Sequence, residues 1–471
     1  MGALYRAGEN KIRPGVYRRY ENTGVSGIPG AIYGVFAIPV HADFGPLATV
    51  TTFEPDQIND LKEMYGTSGT VDAALALFEG GATKVFIYRL GTGGTVASLE
   101  IATSGDTSGT LATLSTRYPT TANYNVSIKE KLDDATQKQL LVYLDTTLLE
   151  TIDFAKSDDE QSAFVTAVNT KSRYLIATEG ATTGSASAIA NIALTGGTEP
   201  TVTTESYSEA FDAFEALKWN MLVLDTVDTD VHALLASYID RIYEEGSLGV
   251  AFIGEPTTVD FRTRCEHAVA FNNEKIIFAG SGYEDSNGNK IDGYYAIARQ
   301  AGIIGSLESN KSATHTVVPG AVNTCEALKN SHYETAIKSG LLLLSPNDEG
   351  KVWFDSGVNT LVSPGENQDE GWKKIRRTST RFEMFDRIGR NVAPLVGQVN
   401  CDDIGIGDVI MRGQAVLDAM IKEGKLKTGA TFVEDTEYRR GTDYAHFVIA
   451  ADDLDSLEKI YLRYQFRFSA E

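Results

Sequence analysis

The chain has 471 residues, 42% hydrophobic and 23% charged, a globular balance that supports packed cores and excludes a disordered polymer. Asp and Glu total 64 against 42 for Lys and Arg, so the formal net charge is −22, a field that repels nucleic acid and anionic lipid unless a local basic patch overrides it. Three widely spaced cysteines, Cys265, Cys325 and Cys401, make no disulfide framework, and the N-terminal residues lack the apolar run of a secretory signal, so synthesis in a reducing cytoplasm is expected.

Residues 1–25 are rich in Arg, Lys and Gly with little to bury, and read as an extended arm. From 26 to 95 strand and helix patterns alternate. Ile32, Val35, Phe36 and Ile38 predict a buried strand within 31–40. Ile58, Leu61, Met64 and Tyr65 share one helical stripe, and Val71, Ala74, Leu75 and Phe78 another, stopped by Gly80 and Gly81. Residues 84–89 read as a core strand.

Residues 96–156 are rich in Thr and Ser and predict a β-rich inserted domain, with strands at 96–103, 109–116, 125–131 and 139–145. A central α/β domain over 157–345 is expected to open with a helix at 158–171 and a strand at 173–178. The Ala/Thr/Gly/Ser-rich stretch 180–204 then reads as a surface loop or linker. Ser206 and Glu209 suggest a capping box for a helix bearing Tyr207, Phe211, Phe214 and Leu217. Apolar strands at 221–224, 248–253 and 275–279 alternate with helical stripes, one of them Val231, Leu234, Leu235, Tyr238, Ile239 and Ile242. That alternation is the pattern of a mostly parallel sheet.

Residues 346–471 read as α+β, with a helix across 407–423. At the end of the chain Ile460, Leu462, Tyr464, Phe466 and Phe468 alternate with polar or amphipathic residues, the period of a strand with one apolar face. The expected architecture is α/β and α+β multidomain: a central, mostly parallel α/β core, a β-rich insert and an α+β C-terminal domain, with extended N- and C-terminal arms.

Chemistry is sparse. The strand ends at Asp225, Gly254-Glu255 and Gly280-Ser281-Gly282 are not followed by phosphate-binding glycine loops. No two of the six histidines have the helical spacing of a zinc site, and Cys265 with His267 has no second ligand pair. No Gly-x-Ser-x-Gly elbow is present. The loop 285–292 alternates oxygen ligands around a glycine, but lacks the distal glutamate of a calcium loop and reads equally as an Asn-Gly turn. No catalytic, cofactor-binding or metal-ligating residue is assigned. Between 373 and 390 seven basic residues gather, including Lys373, Lys374, Arg376 and Arg377. They fit either a solvated helix face or a charged interface to nucleic acid, an acidic partner or a second copy.

Several segments together resemble contractile tail sheath proteins, with the closest likeness to those of Gram-positive prophages and phage-like bacteriocins. They are Lys11-Ile12-Arg13-Pro14-Gly15-Val16-Tyr17; the run from Phe214 to Asp225; Thr316-Val317-Val318-Pro319-Gly320-Ala321; and Leu457-Glu458-Lys459-Ile460-Tyr461 before the terminal alternation. The resemblance implies a structural protein and no enzyme. Subunits would stack as hexameric rings around a tail tube and contract to drive it through a cell envelope, in a virion tail or phage-like particle. Its partners would be itself, the tail tube protein, and baseplate and tail terminator proteins, with neither nucleic acid nor membrane bound directly. It further implies that arms at 6–20 and 458–468 add strands to a neighbour's sheet, through Arg13, Pro14, Gly15, Val16, Tyr17, Ile460, Leu462, Tyr464, Phe466 and Phe468. The helix near 407–423 would face the tube. Pro14, which cannot donate to a ladder, suits an edge or linker position. The rival readings are an α/β ligand- or nucleotide-binding enzyme of unknown substrate and, from the Thr/Ser-rich insert, a surface adhesin.

Overall fold

The computed structural model describes residues 32–104 and 109–466. These residues form two compact units, one of 32–382 with 454–466 and the other of 383–453.

The larger unit begins with β1 (Val35–Val40), β2 (Val50–Phe53), α1 (Ile58–Tyr65), α2 (Val71–Gly80) and β3 (Lys84–Arg89). β1 is buried along its whole length. Phe36, Ile38 and Val40 enter one core cluster while Val35 and Ala37 enter another, as a strand covered on both faces requires. α2 stops where the sequence suggests: Gly81, at φ 114, donates its amide to the carbonyls of Leu77 and Phe78.

The insert follows: β4 (Ser98–Ala102), β5 (Thr110–Thr116), β6 (Tyr124–Glu130), β7 (Gln137–Leu144), β8 (Thr147–Ala155), α3 (Gln161–Lys171), β9 (Leu175–Glu179) and β10 (Ile189–Ala193). Its sheets run β4-β5-β9 and β10-β6-β7-β8, with neighbouring strands antiparallel throughout. α3 and β9, expected in the central domain, belong to this fold. Phe164 packs edge-on against Phe154 at 5.1 Å, and β9 pairs with β5.

The stretch 180–204 is not a free loop. Besides β10 it returns antiparallel along the entry segment, with Thr201 opposite Thr92, Thr198 opposite Thr95 and Thr195 opposite Ser98. Entry and exit thus form a paired stem. Threonine suits it because its branched side chain fits a pleated surface. Glycine suits the crowded places: a Cβ on Gly197 would lie 2.0 Å from the Thr120 carbonyl oxygen.

The chain then completes the central sheet through α4 (Thr204–Glu215), β11 (Met221–Val223), α5 (Thr229–Glu244), β12 (Val250–Gly254), α6 (Phe261–Phe271), β13 (Ile276–Ala279), β14 (Tyr283–Asp285), β15 (Lys290–Ile291), α7 (Gly293–Gly305), β16 (Ala321–Thr324), α8 (Asn330–Lys338), β17 (Leu341–Leu342), β18 (Leu344–Pro346) and β19 (Val352–Phe354). The order is β17-β13-β12-β11-β1-β3-β2, parallel throughout except for β2 at the edge. α2 and α7 cross so closely that a Cβ on Gly80 would sit 2.6 Å from the Gly302 Cα. The α4 cap differs from the expected one. Thr203 is extended and caps the helix, while Ser206 is its third residue and returns a bond to the Thr203 amide.

α9 (Ile375–Val392) leads into the second unit, which holds α10 (Asp403–Lys422) and the hairpin β20 (Thr431–Glu434) with β21 (Phe447–Ala450). Met384, Ile388, Val416, Leu417, Met420 and Phe432 form its core. Arg387, buried, is held by Glu383 at 2.8 Å and by both oxygens of Glu423 at 2.7 and 2.9 Å. The predicted terminal strand is absent among the described residues: 454–466 carry no strand, and no other described segment pairs with them as a ladder.

Where β3 meets the insert, the fully buried Arg89 bonds three carbonyls, those of Ala42 (2.8 Å), Gly45 (2.8 Å) and Pro119 (3.0 Å). Phe44 reaches into the insert core, 5.2 Å from Tyr118 and 5.4 Å from Tyr124. Arg89→Met strands those carbonyls and is expected to cost roughly 3–5 kcal/mol in denaturant unfolding. A loss below about 1 kcal/mol would mean that the stem and Phe44 hold the insert without it.

Candidate functional site

In an open parallel sheet the ligand crevice lies beyond the strand ends where the order reverses, here between β1 and β11. The protein's own side chains fill that place. Asp225, wholly buried, accepts from Tyr207 Oη (2.9 Å), Thr70 Oγ1 (2.5 Å), His41 Nδ1 (2.9 Å) and the His41 amide (3.2 Å). Four donors use the acceptor capacity of one carboxylate. Beside it Glu255, at the end of β12, bonds His267 Nδ1 at 2.7 Å.

The helices after β11 and β12, and the later α7, start with aspartate caps: Asp228 on the Asp230 amide, Asp260 on Arg262, Asp292 on Gly293. A phosphate would need those positive helix ends, and a carboxylate already occupies each one. The sequence marked Asp225 and Glu255 as strand ends. It did not reveal His41, Thr70 and Tyr207 as partners of Asp225, since they lie up to 184 residues away.

The other chemical candidates resolve into structure. Asp285 accepts from the amides of Asn287 (2.8 Å) and Asn289 (2.9 Å), the bonding of a tight turn between β14 and β15. Cys265 is buried in the core under α6 while His267 points to Glu255. Among the described residues no cluster of three His, Cys, Asp or Glu is placed to hold a metal, and no helix is long and apolar enough to cross a membrane.

The basic run is a correction to the free-face reading. Lys373 pairs with Glu370 at 2.8 Å, Arg377 with Asp369 at 3.3 Å, Arg390 with Asp386 at 2.6 Å, and Lys374 with Glu458. Arg381 stacks 3.9 Å over the Trp372 ring. Partners distant in sequence or on the preceding turn have taken the charges. Arg376 is the exception, with no ion-pair partner among the described residues.

Two strand-like features remain without partners among the described residues. The β20–β21 hairpin buries Phe432 and pairs with no third strand among the described residues, although Gln414 of α10 bonds the Phe432 amide (2.9 Å) and the Ala430 carbonyl (3.0 Å) along β20. Ile460, Leu462, Tyr464 and Phe466, with Tyr461 between them, are 70–90% exposed. Of the other expected arm residues, Arg13, Pro14, Gly15, Val16, Tyr17 and Phe468 lie outside the described residues. On α10, Val416, Leu417 and Met420 are buried while Ile404 and Met411 are exposed on the other side. Sequence reading missed β20 and β21, whose signal is four residues each of alternation.

Residues 201–360 match the family described as the phage tail sheath protein central domain. Phage-like element PBSX protein XkdK of Bacillus subtilis (strain 168) is 24% identical over 479 aligned residues, covering 98% of both chains. The sheath tail protein of Desulfitobacterium hafniense superposes with a TM-score of 0.71 at 18% identity, over 93% of this chain and 100% of that one. The helical sheath of the anti-feeding prophage in its contracted state gives 0.52 at 9% identity, over 97% and 99%. The fold is therefore that of tail sheath proteins, including contractile ones.

Two histidines give opposite pH signatures. The Asp225 hydrogen bond raises His41 above the ordinary imidazole value, so its stabilisation is full below about pH 6.5 and is lost as pH rises through the raised value. Burial pulls His232 down to about 4, so stability falls as pH drops from 6.5 toward 4, by about 3 kcal/mol for this group. Denaturant midpoints measured from pH 4 to 8 should lose the alkaline slope in His41→Gln and the acid slope in His232→Leu. Unchanged slopes would refute the assignment.

Proposed function

We propose that this chain, which has the tail sheath fold, is the structural subunit of a contractile tail sheath in a phage or phage-like particle. Subunits stack as hexameric rings around a tail tube, and the sheath shortens to drive the tube through a target envelope. The observation that carries this is the strand deficit. Among the described residues the β20–β21 hairpin has no third strand, its β21 side being the less covered, and the terminal segment has the alternation of a strand but no strand partner. Donor and acceptor fit if the arm of one copy adds to the hairpin of another, main-chain bonds giving strength and alternate side chains giving register. Residues 6–20, with Arg13, Pro14, Gly15, Val16 and Tyr17, supply the second arm.

The exposed side of α10, with Ile404 and Met411, faces the tail tube, and baseplate and tail terminator proteins cap the stack. At a net charge of −22 the copies repel one another, so assembly depends on such local contacts and strengthens with added salt. Arg376 serves as a charged contact to a neighbour's acidic surface, supported by its lack of an ion pair within the described chain. The occupied strand ends and aspartate-capped helices weigh against the ligand-binding reading.

Negative-stain electron microscopy tests the proposal. With the matching tail tube, the full chain is expected to form ringed sheaths. Deleting 1–20 or 458–471 should lower the coated fraction at least about tenfold, a loss of the order of 1.4 kcal/mol per subunit contact. Deletion variants that coat the tube as well as the full chain would overturn the arm-exchange mechanism, and a full chain that never coats it would overturn the sheath reading.

A further inference from the structure

Within the exposed terminal segment one side chain is held. Glu458 keeps only 15% of its side chain exposed, between the exposed Leu457 and Ile460. Its Oε1 accepts from Thr314 Oγ1 at 2.9 Å and Ser312 Oγ at 3.3 Å, and its Oε2 pairs with Lys374 Nζ. Three donors from two distant parts of the larger unit converge on one carboxylate.

The receiving groups are themselves fixed. Ser312 Oγ accepts from the Thr314 amide at 3.1 Å, and Thr314 Oγ1 accepts from the Gly357 amide at 2.9 Å. Gly357 in turn accepts from the Ile375 amide at 3.1 Å, next to Lys374. His315 stacks on Trp353 at 4.0 Å and donates its amide to Phe354. A site whose donors are locked by other bonds loses little freedom on binding, so its contacts count more fully. Burial would raise the Glu458 carboxyl, yet the hydrogen bond and charge of Lys374 outweigh it and hold the group below its ordinary value.

We propose that Ser312, Thr314 and Lys374 form a preformed carboxylate socket for Glu458, and that this socket is the fixed point from which the C-terminal arm extends to a neighbouring copy. The proposal deepens the sheath reading and rests on it for the arm's destination. With the anchor at 458, the chain as far as Phe466 reaches at most about 27 Å. Release back to Leu454 lengthens the free arm by about 13 Å. A longer tether lowers the effective concentration of the arm at its acceptor, and tension in the arm enters the body at Lys374.

Trypsin reads the anchor directly on the full chain, because Lys459 adjoins it and Arg463 lies beyond it. In the native chain, cleavage after Arg463 should be at least about tenfold faster than after Lys459. Lys374→Met and Thr314→Val leave both cut sites unaltered in sequence. Each should speed the Lys459 cut severalfold and leave the Arg463 cut unchanged, the latter serving as the control for folding. An unchanged ratio of the two rates in both variants would overturn the socket.

On tail tubes the same variants should lower the coated fraction. Faster Lys459 cleavage with undiminished coating would overturn the fixed-point role while sparing the sheath reading. Proteolysis is measured without a tube, so a failure of the native chain to coat would count against the sheath reading alone.

Discussion

A backbone amide removed from water has to meet a carbonyl, and the two units of this chain answer that demand differently. In the larger unit, the seven-stranded sheet has helices over both faces and pairs its inner strands on both sides, leaving only the short outer strands β17 and β2 with one neighbour each. In the smaller one, two strands form a hairpin with no third strand among the described residues, and a two-stranded pair is marginal in water without further packing. The terminal segment has the opposite deficiency, an alternating strand pattern with no sheet among the described residues. A chain built in this way is stable as a body and incomplete as a surface. That difference, more than any constellation of reactive groups, is why the molecule reads as a building unit.

The crevice where an α/β enzyme would hold its ligand supports the same view. Asp225 is saturated by His41, Thr70 and Tyr207, and the neighbouring helix starts are capped by aspartates. Those bonds tie the loop after β1 to α2, α4 and β11. A few residues on, the same loop offers Ala42 and Gly45 to Arg89 and sends Phe44 into the insert. Polar groups at the sheet end thus serve to fix the base of the inserted domain.

Much of the larger unit was legible in the sequence because its strands are continuous apolar runs and its helices have wide apolar stripes. β3, α2, α5 and β13 fall close to where periodicity puts them. β2 and β8 were missed: one is four residues at an edge, the other mixes Thr, Glu and Asp on a half-exposed face. The stem at 195–201 was hidden by composition, since Thr and Gly suit both loops and crowded strand pairs. Register across some hundred residues leaves no local trace. The basic run shows the converse error. Its charges were plain, but Asp369, Glu370 and Glu458 only become partners once the chain is folded. The Glu458 socket was illegible for the same reason.

The paired stem has a consequence for how such a chain diversifies. Because Thr92 and Thr201 stand opposite each other, the body meets the whole insert as if it were one hairpin, with two chain ends about 5 Å apart. Whatever is carried above that pair can grow, shrink or be exchanged for an unrelated module, and the central sheet below keeps the same boundary condition. The stem is a graft junction: what lies above it can be rewritten without redesigning the sheet beneath it.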